Sequence, residues 1–282
     1  YRRVATSTQN GVPCSANSNC ITVTVNDINP GSIAADQTIC SGGNPNAFTS
    51  VAATGSGAIT YQWQSSITGC AGSFSDIAGA TSAIYDVPAG LTVTTSYRRV
   101  ATSTQNGVPC SANSNCITVT VNDINPGSIA ADQTICSGGN PNAFTSVAAT
   151  GSGAITYQWQ SSITGCAGSF SDIAGATSAI YDVPAGLTVT TSYRRVATST
   201  QNGVPCSSNS NCITVTVNDI NPGSIAADQT ICSGGNPNTF TSVAATGSGA
   251  ITYQWQSSTT GCAGCFADIV GATSATYDVP AG

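Results

Sequence analysis

Cysteine carries most of the chemistry this chain can offer. Four recur in each stretch of 96 residues: Cys14, Cys20, Cys40 and Cys70, then Cys110, Cys116, Cys136 and Cys166, then Cys206, Cys212, Cys232 and Cys262, with Cys265 as a thirteenth. An even number per stretch, in a chain with no histidine, points to two disulfides per repeat and an oxidising, extracellular or cell-surface location. A four-thiolate zinc site fits less well, because the spacings lack paired C-x2-C knuckles. Cys265 replaces the serine found at Ser73 and Ser169, and is either a free thiol or a bridge between chains.

Catalysis has little to work with. Histidine, glutamate, lysine and methionine are absent, so no Ser-His-Asp or Cys-His arrangement can form. The carboxylates of a repeat, Asp27, Asp36, Asp76 and Asp86, are scattered among turns. The chain is therefore not expected to be an enzyme or to need a cofactor. Asp27 and Asn29 could supply oxygens to Ca2+, but a calcium site takes six to eight oxygens and this pair holds one firm carboxylate, so an Asx turn is the favoured reading. In a strand, Arg98 and Arg99 point to opposite faces, so one is expected in the core, its stem on aromatic rings and its guanidinium meeting an aspartate. Trp63, Trp159 and Trp255 could stack on sugars, but alternation with neighbours such as Ile59 places them in a core.

These groups sit in a sequence that repeats itself. Residues 1–96 and 97–192 are identical, and the third copy differs at Ser208, Thr239, Thr259, Cys265, Ala267, Val270 and Thr276. A fixed period marks an array in which each unit does the same physical job, which suits architecture or multivalency better than catalysis. Threonine, valine, isoleucine, serine, asparagine and glycine dominate, favouring strands and turns over helices. Charge is sparse, 6% of residues with a net value of -6, so no basic patch is present for nucleic acid. No apolar run approaches the roughly 18 to 20 residues that span a bilayer as a helix.

Asn29-Pro30-Gly31 follows the alternating run Ile21-Thr22-Val23-Thr24-Val25 and reads as a junction. The boundaries then give one domain at 29–124 and a second at 125–220. They leave the C-terminal strands of an incomplete domain at 1–28 and the N-terminal strands of another at 221–282. Within 29–124, strands are expected over 32–35 and 38–39 (one edge strand broken at Asp36), 47–52, 59–64, 74–77, 83–87, 94–102 and 117–121. Ile59, Tyr61 and Trp63 share one face of the clearest of these. About seven strands per repeat is the count of an all-β, two-sheet sandwich. The two end segments are complementary, and an isolated half-sandwich would expose open edges. Both ends are accordingly expected to be completed, by a longer continuous filament or by strand exchange between chains.

The order of Trp63 on a central strand, Tyr97 opening a late strand, an Asn106-Gly107 hairpin and a closing Ile117-Thr118-Val119-Thr120-Val121 strand resembles an immunoglobulin-like domain. More narrowly, Asp36-Gln37-Thr38-Ile39-Cys40-Ser41-Gly42, Tyr61-Gln62-Trp63-Gln64, Ile77-Ala78-Gly79-Ala80-Thr81-Ser82 and Tyr97-Arg98-Arg99-Val100 resemble the tandem Ig-like repeats of very large secreted or cell-surface proteins of Bacteroidetes. That resemblance implies tandem immunoglobulin-like β-sandwich domains in an extracellular, repeat-built surface protein, and no catalytic residues. The inter-sheet disulfide of antibody domains would need a cysteine at Arg99, so the bridges must staple loops or edges. A local scheme pairs Cys110 with Cys116, Cys40 with Cys70 and Cys136 with Cys166; a competing one ties Cys40 to Cys110 or Cys116.

The function read from the sequence is a structural segment of an extracellular fibre, filament or stalk. Its partners are neighbouring repeats or copies of the same protein along the fibre, with neither nucleic acid nor a membrane span in this segment. A multivalent adhesin that binds glycans or a surface is the alternative. Serine and threonine line the solvent faces of the strands, which suits covalent O-glycans, and the chain contains no Asn-x-Ser/Thr sequon.

Overall fold

The computed structural model describes residues 1–262 and 264–280. It divides into two compact units. The first holds Tyr1–Ile124, Gly151–Ala154 and Ser199–Cys206; the second holds Asn125–Thr150, Ile155–Thr198 and the described residues from Ser207 onward. Among the described residues every regular element is a strand.

In the first unit, β1 (Val4–Gln9) and β2 (Val12–Asn17) form a hairpin. Its two-residue turn holds Asn10 at φ 52° and Gly11 at φ 79°, the left-handed conformation that an Asn-Gly turn supplies between twisted strands. Next come β3 (Ile28–Asn29), β4 (Ser32–Ile33), β5 (Gln37–Cys40), β6 (Ser50–Val51), β7 (Thr54–Gly55), β8 (Ala58–Ser66) and β9 (Ser75–Asp76). The long strand β10 (Thr95–Gln105), then β11 (Val108–Asn113) and β12 (Ile117–Asn122) complete the repeat. The main sheet runs β5-β12-β10-β8-β9, with β11 pairing the distal part of β10. β5 is parallel to β12, and the other pairings are antiparallel. Opposite it lie the short pairs β4·β6 and β3·β7. The order β12-β10-β8, with the tryptophan on β8, is that of one sheet of an immunoglobulin-like sandwich.

Two expected strands turn out differently. The edge strand broken at Asp36 is two strands of different sheets, because β4 pairs β6 while β5 crosses to β12. Residues 83–87 make only an isolated bridge between Phe48 and Tyr85, and the Ala83 carbonyl accepts instead from the side chains of Ser50 and Arg99.

The core follows from the alternation. Tyr97, Arg99, Ala101 and Ser103 of β10 point inward, as do Ile117, Val119 and Val121 of β12. Of these, Tyr97, Ile117 and Val119 pack with Ile33, Phe48, Trp63 and Val87. Phe48 lies with its ring centroid 5.7 Å from Trp63 and 5.1 Å from Tyr97. Each such buried side chain is worth about 1.5 to 3 kcal/mol of transfer free energy, so this cluster is what the strands are built around.

The second unit repeats the plan. It contains or shares β13 (Ile124–Asn125), β14 (Ser128–Ala130), β15 (Gln133–Cys136), β16 (Thr145–Val147), β17 (Thr150–Gly151), β18 (Ala154–Ser162) and β19 (Ser171–Asp172). β20 (Thr191–Gln201), β21 (Val204–Asn209) and β22 (Ile213–Asn218) follow. The sheet runs β15-β22-β20-β18-β19 over a core of Ile129, Phe144, Trp159, Val183, Tyr193, Ile213 and Val215. After Asn221, pairing is limited to short stretches such as Ser224–Ile225 with Ser242–Val243 and Gln256–Ser257 with Ala267–Asp268.

Candidate functional site: cysteine bridges and the asparagine clamp

Cys40 closes β5 and is bonded to Cys206, with Cα atoms 5.5 Å apart and a sequence separation of 166. Cys206 lies in the hairpin tip 199–206 that belongs to the first unit. Beside the bridge, Asn202 Nδ2 donates to Thr38 Oγ1 at 3.1 Å. The same tip is held by Asn122, which is fully buried. Its Nδ2 donates to the carbonyls of Ser199 and Val204 at 2.8 and 2.9 Å, and its Oδ1 accepts from Ser199 Oγ at 2.6 Å. Asn26 makes the same three bonds to Ser103 and Val108 one repeat earlier. Both amide donor bonds and the acceptor bond are made to the hairpin, so the buried polar group is paired.

The remaining bridges lie inside repeats: Cys70 with Cys116, and Cys166 with Cys212, each at a separation of 46 and a Cα distance of 5.8 Å. They tie the turn after β8 or β18 to the start of β12 or β22. This corrects the local scheme. Cys40 does not pair with Cys70, nor Cys136 with Cys166, nor Cys110 with Cys116. The register supplies the reason: Cys110 on β11 stands opposite Ser103, whereas Cys116 adjoins Ile117, which stands opposite Tyr97. At about 3.3 Å per residue the two thiols are separated by several residues' length along β10. The competing scheme fails too, because Cys40 meets the Cys110 position of the following repeat. The repeats 29–124 and 125–220 thus hold one internal bridge each where two were expected. Cys14, Cys20, Cys110, Cys136, Cys232, Cys262 and Cys265 are free thiols.

Arg99 lies fully buried in the core, and its guanidinium meets no aspartate. Nη1 donates to Ala83 O at 2.7 Å, and Nη2 to Val51 O at 2.7 Å and Pro30 O at 3.0 Å. The group sits 4.6 Å over the Tyr61 ring, while Nε has no partner. Carbonyls at strand ends and turns replace the expected carboxylate, and the planar fork can reach three of them at once. Burial lowers the arginine pKa below its ordinary value, with Tyr61 acting the other way. Arg195 repeats the arrangement with Ala179, Val147 and Pro126. Arg98 faces outward, its Nε donating to Gln64 Oε1 at 2.7 Å and its guanidinium lying 4.2 Å over Phe74.

The other expected site residues have local roles. Trp63 and Trp159 are fully buried, and Trp63 Nε1 donates to Ser82 O at 2.9 Å. Trp255 is half-buried. Asp27 accepts from Ser56 Oγ, and Asn29 Oδ1 accepts from the Gly31 N–H at 3.0 Å, the Asx turn of the sequence reading. Asp36 caps the Thr118 N–H at 2.8 Å, and Asp76 accepts from Gln64 Nε2. Among the described residues no three histidine, cysteine or acidic side chains gather to hold a metal. Sequence reasoning passed over Asn122 and Asn26, because alternation puts Asn122 in phase with Thr118 and Thr120, opposite to Val121; its burial comes from the hairpin tip that it clamps.

Comparison with known proteins bears on the repeat itself. The family described as "Domain of unknown function (DUF8696)" matches residues 29–123, 125–219 and 221–281. The chain belongs to this family. Its three DUF8696 matches follow the repeat period, and no curated protein matches the chain. Solved structures similar to it include the three N-terminal domains of the bacteriophage RB49 Highly Immunogenic Outer Capsid protein, with 11% identity and a TM-score of 0.38, covering 72% of this chain and 74% of that one. Another is Sidekick-1 immunoglobulin domains 1–4, with 13% identity and a TM-score of 0.30, covering 88% and 64%. A third is a SusE-like surface located polysaccharide binding protein from the Bacteroides thetaiotaomicron heparin utilisation locus, at 12% identity and a TM-score of 0.27. It covers 70% of this chain, which spans 35% of that protein.

Proposed function

We propose that the chain is a structural segment of an extracellular fibre, filament or stalk, a string of immunoglobulin-like repeats that acts mechanically and catalyses nothing. The observation that carries this reading is the Cys40–Cys206 bridge. It joins a residue of one DUF8696 match to a residue of the next, a link that follows the string of repeats. Disulfides that persist require an oxidising compartment, which supports an extracellular or cell-surface location. Short Pro-Gly junctions leave little play between repeats, and identical repeats give uniform mechanical properties along a rod. The hydroxyl-rich strand faces would carry O-glycans, and the Bacteroidetes resemblance fits a surface role.

A glycan-binding adhesin would need an exposed aromatic platform. In the two complete repeats Trp63, Phe48, Trp159 and Phe144 are all buried, which favours the structural reading. Electron microscopy of native surface material tests it. Long uniform fibres are expected, with an axial period of roughly 35 to 45 Å per repeat, from strands of six to eight residues at about 3.3 Å each plus loops. Isolated globular particles would overturn it.

A further inference from the structure

Cys40 and Asn122 are register partners on the parallel strands β5 and β12, and both take hold of the same hairpin tip. Cys40 is bonded to Cys206, Asn122 makes its three hydrogen bonds to Ser199 and Val204, and Asn202 donates to Thr38 just before the bridge. Along the chain the bridge closes a loop with a separation of 166. The Cys70–Cys116 bridge lies wholly inside that loop, and Cys166–Cys212 begins inside it and ends just past Cys206.

The loop encloses nearly all of two cores. Every buried member of the first cluster except Ile33 falls between Cys40 and Cys206, as does every member of the second except Ile213 and Val215. A pull that arrives along the backbone before Cys40 and leaves after Cys206 has two routes between them. One is the enclosed backbone, folded by hydrogen bonds worth about 0.5 to 1.5 kcal/mol each. The other runs through two cysteine side chains whose Cα atoms are 5.5 Å apart. The short route goes taut first and is covalent throughout, so the enclosed backbone carries no tension.

We propose that the Cys40–Cys206 bridge is a tension shortcut: it carries pull past residues 41–205 through one S–S bond and keeps them from extending, so that the redox state of this bridge sets the extensibility of the chain. The internal bridges do not have this effect. Each shields only its own loop, at a separation of 46, and leaves the stretches 41–70 and 116–166 free to extend. Cutting Cys70–Cys116 or Cys166–Cys212 while Cys40–Cys206 holds releases no length, because neither lies on the taut route. The shortcut deepens the mechanical reading given above and takes its biological sense from it, while the route of the force belongs to the chain itself.

The test stretches the full 282-residue chain in optical tweezers by peptide tags at its two ends. At about 3.6 Å per extended residue, the oxidised chain is expected to stop at about 410 Å, the length outside the loop. The double variant Cys40→Ser, Cys206→Ser, with its Cys70–Cys116 and Cys166–Cys212 bridges verified by peptide mapping, is expected to reach about 680 Å. Stretched length depends on the bridges alone, so a variant that folds poorly still reports. Dithiothreitol is then added to the unsubstituted chain under constant tension. It passes two electrons and two protons to the two sulfurs of each bridge it cuts, and is itself oxidised to its cyclic disulfide. The first jump is expected to be no shorter than about 270 Å, since nothing is released before Cys40–Cys206 opens. An oxidised chain that extends to about 680 Å or more, or first jumps of about 170 Å from the internal loops, would overturn the proposal. Failure here leaves the fibre reading to native-material microscopy, and isolated particles there leave the shortcut standing.

Discussion

Arg99 on β10 reaches across the core to donate to the carbonyl of Val51 on β6, 2.7 Å away in the opposite sheet. One side chain thereby connects the two layers of the sandwich and satisfies the carbonyls of Pro30 and Ala83 as well. Lysine cannot reproduce that fork. Arg99→Lys is expected to destabilise the repeat by about 2 to 4 kcal/mol, because buried acceptors lose their donors; urea unfolding of the substituted protein measures it. A change below about 0.5 kcal/mol, the size of a surface substitution, would contradict the role given to the fork.

Two glycines at positive φ separate steric from conformational cost. Gly31 has φ 67°, and a Cβ there would overlap the carbonyls of Val51 and Ala52. Gly107 has φ 80° and open space around it. Gly107→Ala is expected to cost about 1 kcal/mol from backbone strain alone, and Gly31→Ala distinctly more, since backbone must shift. Equal losses in thermal unfolding would remove the close approach at the Pro30-Gly31 junction from the account.

Alkali should unfold the protein from the tyrosines inward. Burial raises the Tyr97 and Tyr193 phenols above their ordinary 10.0, reinforced by Tyr85 and Tyr181, with the Thr95 and Thr191 hydrogen bonds acting weakly the other way. The folded state holds these protons more tightly than the unfolded chain does. Their contribution is therefore complete below pH 10 and is lost as pH rises through the raised values. Tyrosinate absorbance is expected to appear together with loss of sheet signal. Ionisation of Tyr97 and Tyr193 near pH 10 without unfolding would show that these phenols are not buried as described.

Chelation is expected to do nothing. The Asp27 carboxylate is engaged by Ser56, and the Asn29 side chain by its own turn, so no oxygen set is held open at the junction. EDTA should leave the calorimetric midpoint unchanged, and a fall of several degrees would reveal a metal site.

Much of this architecture is legible in the sequence. Alternation places Trp63, Ile117 and Val119 on an inner face, and Asn106-Gly107 announces a hairpin, because strand period and turn chemistry are local properties. The bridges are not legible, because in identical repeats Cys110 and Cys206 are the same residue to any local rule. Choosing between a bridge within a repeat and one to the next requires the register of β11 on β10 and the reach of the hairpin tip. Arg99 shows a second limit: alternation turns it inward, but nothing in the sequence marks the Pro30, Val51 and Ala83 carbonyls as its partners in place of an aspartate. Asn122 is a third limit: it falls in the outward phase of β12 with Thr118 and Thr120, so alternation does not mark it for burial, and its partners lie 77 and 82 residues away.

The measurement that bears most directly on a covalently stapled extracellular array is disulfide mapping of Cys40 in protein recovered from native material, alkylated before any reduction. The Cys40 peptide is expected joined to the Cys206 peptide. Recovery of Cys40 as an alkylated free thiol, or joined to Cys70, would contradict it.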